Sequence, residues 1–281
     1  MLVGSCRDAT GVARDDSRVA YIRDPSYDTL FVADPQTGTI EQRIALPASA
    51  GRARLSPLGD RVAMTIGSQL LVMNVDGSDV IEVGTYASNI AWSPDGTRLA
   101  YSRAPGPELH IVNANGSDDV VVPGAVPGGW NGISWSPDGG RIAFEGTRGG
   151  TRTIYVVNTD GSGLRDVDAT LPGPAIRATG EPSWSPDGRK LVFSRFRLDG
   201  VSQETRLWVA NLSTNEAWQI TSGGGTGDVR PTWSPHGSEI TFLRFDGAGS
   251  DVFVVGHDGS GMRQLTSTAS IREEEPQWLR R

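Results

Sequence analysis

Charged and amide side chains recur at one position of this chain, three residues before a tryptophan or its apolar counterpart. That position holds, in chain order, Arg52, Asn89, Gly132, Glu181, Arg230 and Glu275. The position directly before the counterpart holds Arg54, Ala91, Ser134, Ser183, Thr232 and Gln277. Guanidinium and carboxylate groups gathered at one place can bind a polar ligand, or they can pair with one another and fix neighbouring elements in register. Carboxylate and amide oxygens are also the ligands that a hard cation such as Ca²⁺ prefers.

Trp130 and Asn131 form a second candidate site, in the glycine-rich stretch 127–132. A tryptophan on such a loop can stack on a sugar ring or anchor a partner chain, or it can fold back over the core. The candidate ligand-binding set is therefore Arg52, Arg54, Asn89, Trp130, Asn131, Glu181, Arg230 and Glu275.

Common catalytic motifs are absent from the sequence. It contains no Gly-x-Ser-x-Gly elbow, no His-Glu-x-x-His pair and no phosphate-binding loop. The three histidines, His110, His236 and His257, are not at metal-ligand spacing. Cys6 is the only cysteine, which excludes an intrachain disulfide. We expect no cofactor and no resident metal.

The elements that must position these residues come from a repeat. Four strong copies share Trp-Ser-Pro-x-Gly and begin at Trp92, Trp135, Trp184 and Trp233, and weaker copies begin at Leu55 and Val12. Each copy continues with a second apolar run, and most then have an Asp-Gly-Ser or Asn-Gly-Ser turn, a strong hairpin signal. The pattern predicts four antiparallel strands per copy. Because one such sheet cannot cover its own faces, the sheets must stack around a channel, with the tryptophans as core residues between them.

The end of the chain repeats the run-in to the innermost strands. Glu274-Glu-Pro-Gln-Trp278 matches Gly180-Glu-Pro-Ser-Trp184, so we expect the C-terminus to supply the innermost strand of the first blade, whose own strand near Val12 is degenerate. The predicted fold is an all-β, six-bladed β-propeller of four-stranded antiparallel blades, closed by this C-terminal innermost strand. Residues 12–281 form the single propeller domain, and residues 1–11 form a leader or tether.

The Trp-Ser-Pro-Asp-Gly signature, with Asp-Gly-Ser and Leu-Thr downstream, resembles the WD-repeat-like propellers of the TolB family over residues 12–279. This resemblance implies a six-bladed propeller, a place in the bacterial envelope and contacts with other proteins. TolB carries an additional amino-terminal domain for which this chain has no room, so the resemblance does not transfer TolB's particular partners.

Charge and hydropathy limit the compartment and the partners. The net charge of −7 argues against a nucleic-acid partner. The sequence contains no run of 18 apolar residues, so it predicts no transmembrane helix. The opening Val3-Gly-Ser-Cys6 resembles the end of a lipoprotein signal, without the charged and apolar stretches that should precede it. It indicates either a periplasmic or extracytoplasmic protein, lipid-anchored through Cys6, or a chance match. We expect a monomer.

The connections on one face of the predicted ring vary in length, from the terse 65–69 to the long 195–206. A rigid scaffold with variable loops is typical of binding sites. We therefore expect a binding or scaffold module for a protein, peptide or glycan at the variable face and channel mouth. The alternative is a metal-assisted hydrolase or lyase that uses Glu181, Glu275 and Asn89. Arg52 and Arg230 at equivalent positions oppose it, since they would repel a divalent cation, and whether the chain is an enzyme stays open.

Overall fold

The structure is a computed structural model that describes residues 17–23, 28–47, 50–106, 108–126, 132–148, 150–167, 177–198, 203–222, 227–245, 247, 249–267 and 272–279. Within these ranges every regular element is a β-strand. The described part of the chain contains no helix long and apolar enough to cross a membrane. The prediction of an all-β protein is therefore confirmed, whereas Val12, Cys6, Trp130 and Asn131 lie outside the described residues.

Consecutive strands pair into antiparallel sheets of four. Sheet 1 has the order β24-β1-β2-β3, with β1 (Arg18–Arg23), β2 (Thr29–Ala33), β3 (Ile40–Ala45) and β24 (Glu273–Leu279). Sheet 2 contains β4 (Ala50–Leu55), β5 (Arg61–Ile66), β6 (Gln69–Asn74) and β7 (Ile81–Thr85). Sheet 3 contains β8 (Ala87–Trp92), β9 (Arg98–Arg103), β10 (Glu108–Asn113) and β11 (Val120–Val121). Sheet 4 contains β12 (Ile133–Trp135), β13 (Arg141–Arg148), β14 (Thr151–Asn158) and β15 (Arg165–Asp166).

The last two groups of strands are joined at one point. Sheet 5 contains β16 (Arg177–Trp184), β17 (Lys190–Leu198), β18 (Gln203–Asn211) and β19 (Glu216–Gln219). Sheet 6 contains β20 (Gly227–Trp233), β21 (Glu239–Phe245), β22 (Ser250–Gly256) and β23 (Arg263–Gln264). A parallel bridge between Thr205 and Gly227 connects β18 to β20, so the two groups form one continuous hydrogen-bonded unit.

The first and the last strand of the described chain both belong to sheet 1. The C-terminal strand β24 pairs antiparallel with β1, with Val19 opposite Trp278 and Ala20 opposite Gln277. The predicted C-terminal strand therefore does pair with the first repeat, as its inner neighbour.

The Ser-Pro-x-Gly turns are held by short side-chain hydrogen bonds. Between β8 and β9, the Ser93 hydroxyl donates to Asp95 at 2.6 Å, and the backbone N–H of Arg98 donates back to Ser93 Oγ at 2.9 Å. The Ser93 hydrogen bond, with that of the Thr97 N–H, lowers the pKa of Asp95 to about 2. Gly96 takes φ +68°, a conformation that side chains disfavour. We call the side of the molecule with these turns the turn face, and the opposite side, with the connections between sheets, the loop face.

Apolar side chains are buried between neighbouring sheets. Leu70 and Val72 of sheet 2 pack with Trp92 and Tyr101 of sheet 3 in one cluster. Corresponding clusters join sheets 1 and 2, 3 and 4, 4 and 5, and 5 and 6. A further cluster joins sheet 6 to sheet 1 through the buried residues Val19, Tyr21, Ala33, Leu243 and Val252. Each described sheet is thus covered by the sheets next to it in sequence, and the last sheet is covered by the first.

In three of the turns an arginine reaches the tryptophan of the next sheet. The Arg61 guanidinium lies 5.2 Å from the centre of the Trp92 ring, and the corresponding distance from Arg98 to Trp135 is 5.0 Å. Arg141 lies 4.6 Å from the Trp184 ring and donates to the Gly188 carbonyl at 3.2 Å. These contacts combine a cation–π interaction with a hydrogen bond between sheets. They explain why arginine recurs at the end of the turn motif.

Replacing Arg141 by alanine should lower the free energy of unfolding by about 1–2 kcal/mol, since about 0.5–1 kcal/mol comes from the cation–π contact and about 1 kcal/mol from the hydrogen bond. Urea titration followed by tryptophan fluorescence measures the change. Arg189→Ala is the matched control, because Arg189 is exposed in the next turn. We expect that control to stay within about 0.5 kcal/mol of the wild type. Equal effects of the two substitutions would contradict a specific role for the contacts of Arg141 with Trp184 and Gly188.

Candidate functional site

Three arginines and three glutamates from four strands meet where the innermost strands begin, on the loop face. Arg52 Nη1 lies 3.0 Å from Glu275 Oε1 and 3.6 Å from Glu181 Oε1. Arg230 pairs with the same two carboxylates, at 3.1 Å from Glu275 and 3.4 Å from Glu181. Arg54 also pairs with Glu275, and Arg230 with Glu274. We call these six residues the mouth cluster; they come from β4, β16, β20 and β24.

Burial and charge act in opposite directions on Glu275. Its side chain is only 3% exposed, and burial alone would raise its pKa. The guanidiniums of Arg54, Arg230 and Arg52 outweigh burial and lower the pKa of Glu275 to about 2. Conversely, burial would lower the pKa of Arg52, but Glu275 and Glu181 raise it. Glu275 is therefore a carboxylate at neutral pH, held by three guanidinium groups.

Irregular backbone aims these side chains at one place. The ladder shifts register between Ala50 and Ala53 in β4, between Gly180 and Ser183 in β16, and between Val229 and Thr232 in β20. Such bulges redirect side chains near the ends of strands.

Two members of the mouth cluster have strained backbone. Arg230 has φ +54° and Glu275 has φ +57°, a region that non-glycine residues seldom occupy and that costs of order 1–3 kcal/mol each. Surrounding structure must therefore hold these two charged residues in place. Strain of this kind concentrates at functional sites.

Gly132, the equivalent residue of sheet 4, leaves room for Glu181. A Cβ atom on Gly132 would lie 2.3 Å from the Glu181 Cα and 2.5 Å from its Cγ. Glu181 thus occupies the space that a side chain would need at position 132. A larger residue there would push Glu181 away from Arg52 and Arg230.

A cavity of about 260 Å³ lies behind the mouth cluster. Its lining includes all six residues that directly precede the tryptophan or its counterpart: Arg54, Ala91, Ser134, Ser183, Thr232 and Gln277. Alternation along the innermost strands predicts this lining. A second cavity of about 210 Å³ lies towards the turn face, lined largely by prolines and tryptophans. The loop-face cavity is lined by both polar and apolar side chains and can hold a small group or the end of a side chain.

The candidate residues divide into three groups. Arg52, Arg54, Glu181, Arg230 and Glu275 come together in the mouth cluster. Asn89 is buried, and its amide donates to Ser102 Oγ of the adjacent strand at 3.0 Å, within sheet 3. Trp130 and Asn131 lie outside the described residues. The ion pairs do not decide between ligand binding and a purely structural ring, so ligand binding stays a prediction.

Sequence reasoning missed Glu274 and Tyr86. Glu274 precedes Glu275, and strict alternation places the two side chains on opposite faces; the irregular backbone of β24 brings both to Arg230. Tyr86 lies on the loop face between β7 and β8, is 56% exposed and has φ +57°. Backbone hydrogen bonds from Tyr86 N–H to the Ser68 carbonyl and from Ala104 N–H to the Tyr86 carbonyl hold it there. The sequence does not indicate positive φ at an aromatic residue, because glycine normally occupies positions with this conformation.

The metal-site hypothesis finds little support in the described part of the chain. No group of three or more histidine, cysteine, aspartate or glutamate side chains there is placed to hold a metal ion. Glu181 and Glu275 share arginine partners. A divalent cation would have to displace those guanidiniums.

Acid should destabilise the protein through Glu275. Because its pKa falls from 4.5 to about 2 on folding, its contribution is fully present above about pH 4.5 and is lost as pH falls towards 2. The shift corresponds to about 3 kcal/mol. Glu275→Gln should remove that much stability at pH 7 and flatten the pH dependence between these values. Urea titrations at pH 7, 4.5 and 2.5 measure both effects.

Glu41→Gln is the control for this experiment, since Glu41 pairs with Arg18 at the surface and an exposed pair contributes up to about 1 kcal/mol. It should keep the acid dependence of the wild type. If Glu275→Gln and the wild type lose stability in parallel on acidification, the mouth cluster is not the acid-sensitive element.

Comparison with known proteins gives matches in structure only. No family model matches the chain, and no curated protein matches its sequence. A protein described as a TolB from Agrobacterium tumefaciens superposes with a TM-score of 0.71 at 21% identity, covering 90% of this chain and 89% of that chain. TolB from Acinetobacter baumannii superposes with a TM-score of 0.63 at 16% identity, covering 97% of this chain and 84% of that chain.

An enzyme is also among the similar structures. An oligogalacturonate lyase in complex with manganese superposes with a TM-score of 0.58 at 17% identity, covering 93% of this chain and 83% of that chain. At such identities the likeness shows the fold and no activity. The chain therefore has a TolB-like β-propeller fold, which confirms the resemblance seen in the repeats.

Proposed function

We propose that sheets 1–6 are the six blades of one closed propeller formed by residues 12–281. The innermost strands support this arrangement, because each contacts the next: β4 with β8, β8 with β12, β12 with β16, β16 with β20, β20 with β24, and β24 with β4. The apolar cluster between sheets 6 and 1 supports it independently. In such a ring the innermost strands surround the cavity, and the mouth cluster lies at its loop-face opening.

We propose further that this propeller binds a protein or peptide ligand at its loop face, with the mouth cluster as the floor of the site. The observation that carries the proposal is the mouth cluster itself. Its arginines remain 18–23% exposed beside the loop-face cavity, and two of its residues have strained backbone. Fixed charges of both signs, presented in a preformed concavity, suit the recognition of polar backbone and side-chain groups.

Exposed apolar groups on the same face support a macromolecular ligand. Tyr86 and Val126 are each 56% exposed and lie at connections of the loop face. An exposed tyrosine in a conformation that favours glycine adds nothing to folding stability, whereas tyrosine is enriched among the residues that dominate binding energy. A contact with a partner explains its presence. Trp130, if it lies on this face as the sequence predicts, would extend the same surface.

The metal-assisted enzyme remains the weaker alternative. The lyase with bound manganese shares only the fold. The carboxylates on which such chemistry would depend are neutralised by Arg52, Arg54 and Arg230. An extracytoplasmic location, with a lipid anchor at Cys6, is part of the proposal and is supported by the opening Val3-Gly-Ser-Cys6.

Deletion of residues 271–281 tests the closed ring. It removes β24, which is the innermost strand of sheet 1 and contains two of the three glutamates of the mouth cluster. We expect the melting temperature to fall by about 10 °C or more and aggregates to form, as measured by calorimetry and light scattering. Deletion of residues 1–11 is the control and should leave both unchanged. An unchanged melting temperature after removal of β24 would refute closure by this strand.

Substitution of Tyr86 tests the binding face. The immobilised chain should capture proteins from an extract of the source organism. We expect the captured amount to fall by about tenfold or more with Tyr86→Ser, and also with Arg52→Ala. Quantitative mass spectrometry measures these amounts. Leu58→Ser is the matched control, because Leu58 is 71% exposed on the turn face.

The control should capture the same proteins as the wild type. Proteins captured equally by all variants do not use the loop face, and a result limited to such proteins would overturn the proposal. Selective recovery of glycans would assign the face to that ligand class instead.

A further inference from the structure

Exposed apolar side chains are concentrated on two neighbouring outer strands. Of the eight exposed large apolar residues among the described residues, Val80, Ile81, Val120 and Val121 lie at the outer edges of sheets 2 and 3. Their exposed fractions are 51%, 38%, 54% and 46%. Val120 and Val121 constitute the whole of β11. We call these four residues the strip. In the sheet order the strip is far from the mouth cluster, because β11 is the outermost strand and β8 the innermost.

The other outer strands contain charged side chains. Glu41 and Arg43 lie in β3, Glu82 in β7, Arg165 and Asp166 in β15, Glu216 in β19 and Arg263 in β23. Charges on edge strands prevent unwanted pairing with another chain. Among the described outer strands, β11 is the exception, since both of its side chains are apolar.

The outer edge of β11 is open for hydrogen bonding. No described strand pairs with it on that side, where the strand order of sheet 3 ends. The Val122 N–H donates inwards to the Leu109 carbonyl at 2.8 Å. Because successive backbone groups of a strand point to opposite edges, the N–H and C=O of Val121 point outwards.

The surroundings of the strip are acidic. Segments 76–86 and 114–126 contain Asp76, Asp79, Glu82, Asp118 and Asp119 and no lysine, arginine or histidine. Neutral amides bind two of these carboxylates, with Asn74 at 2.8 Å from Asp79 and Asn113 at 2.7 Å from Asp118. Asp119 accepts a hydrogen bond from the Tyr101 hydroxyl and lies 2.9 Å from His110 Nδ1. The exposed apolar residues of the strip therefore lie in two segments whose charged side chains are all acidic.

We propose that β11 is a docking edge for an extended segment of a partner protein that alternates apolar and basic residues. Such a segment would add to sheet 3 as a further strand, with its backbone bonded to Val121 and its cations beside the carboxylates. Because Val120 and Val121 lie on opposite faces of the strand, the apolar side chains of the alternating segment would pack beside one of the two valines. A second copy of this chain fits poorly, because two acidic edges would meet and the chain carries a net charge of −7. This site is separate from the proposed loop-face site.

The test uses a fluorescein-labelled, acetylated peptide of about eight residues with alternating valine and lysine. Fluorescence anisotropy should show saturable binding to the full chain that weakens as salt is added. A peptide with glutamate in place of lysine should not bind. A lysine peptide whose central valines are replaced by proline should also fail, since proline cannot form the ladder. Amide exchange followed by NMR should show new protection at Val121.

Val121→Lys is the variant that blocks the edge, and it should weaken binding by at least about tenfold. Leu164→Lys is its matched control, because Leu164 is 46% exposed outside the strip. It adds the same charge and should change binding by less than about twofold. Circular dichroism and melting temperatures confirm that both variants are folded.

Four results would overturn the proposal: no binding at about 1 mM peptide, equal binding of the glutamate peptide, equal binding of the proline peptide, or equal weakening by both lysine variants. A concentration-dependent dimer of the chain alone that Val121→Lys abolishes would assign the edge to a second copy instead. Tyr86→Ser should leave peptide binding unchanged, so failure of this proposal is distinguishable from failure of the loop-face function.

Discussion

A four-stranded sheet with strands of about six residues has two large faces and cannot bury either by itself, so it requires a neighbour on each side. In this protein the neighbour is always the next sheet, and in sheets 3 to 6 a buried tryptophan belongs to the apolar cluster with the preceding sheet. Trp92 and Trp184 donate their indole N–H groups to carbonyls of the preceding sheets, those of Arg54 and Ser134, at 2.9 and 3.2 Å. Arginines of the preceding turns cover the rings from the turn side.

This packing constraint determines where function can lie. The tryptophans hold the turn ends of neighbouring sheets together, so the sequence of the turn face has little freedom to vary. The innermost strands converge at their other ends, where the chain enters each sheet from a loop. Side chains from strands far apart in sequence, such as Arg52 and Glu275, meet there because the stacking of sheets brings them together. The loop face can therefore carry a site without changes in the core.

The repeat made most of the fold readable from the sequence. Turn residues with a clear mechanism, such as Ser93, Asp95 and Gly96, mark strand ends, and the recurring tryptophans mark the innermost strands. Alternation then identified the cavity-lining residues. Alternation failed for Glu274 because the irregular pairing of β24 is a local backbone feature that the sequence does not indicate. The repeat position of Asn89 predicted that it belongs to the site, whereas its amide donates to the Ser102 hydroxyl within sheet 3. The open edge of β11 could not be foreseen, since the edge character of a strand depends on which strands surround it.

The charges and the backbone of the mouth cluster have an energetic cost that bears on the proposed loop-face site. Taking Glu275 and its three arginine partners out of water costs several kcal/mol per ion, and the attraction among them offsets that cost without a large surplus. Positive φ at Arg230 and Glu275 adds to that cost, and Gly132 at the equivalent position of sheet 4 has φ +54° as well. The ion pairs by themselves are compatible with a ring that only fixes the strands in register. The proposed loop-face site gives the charges a further use, because a ligand that exchanges hydrogen bonds with these groups meets side chains that are already oriented and held in place.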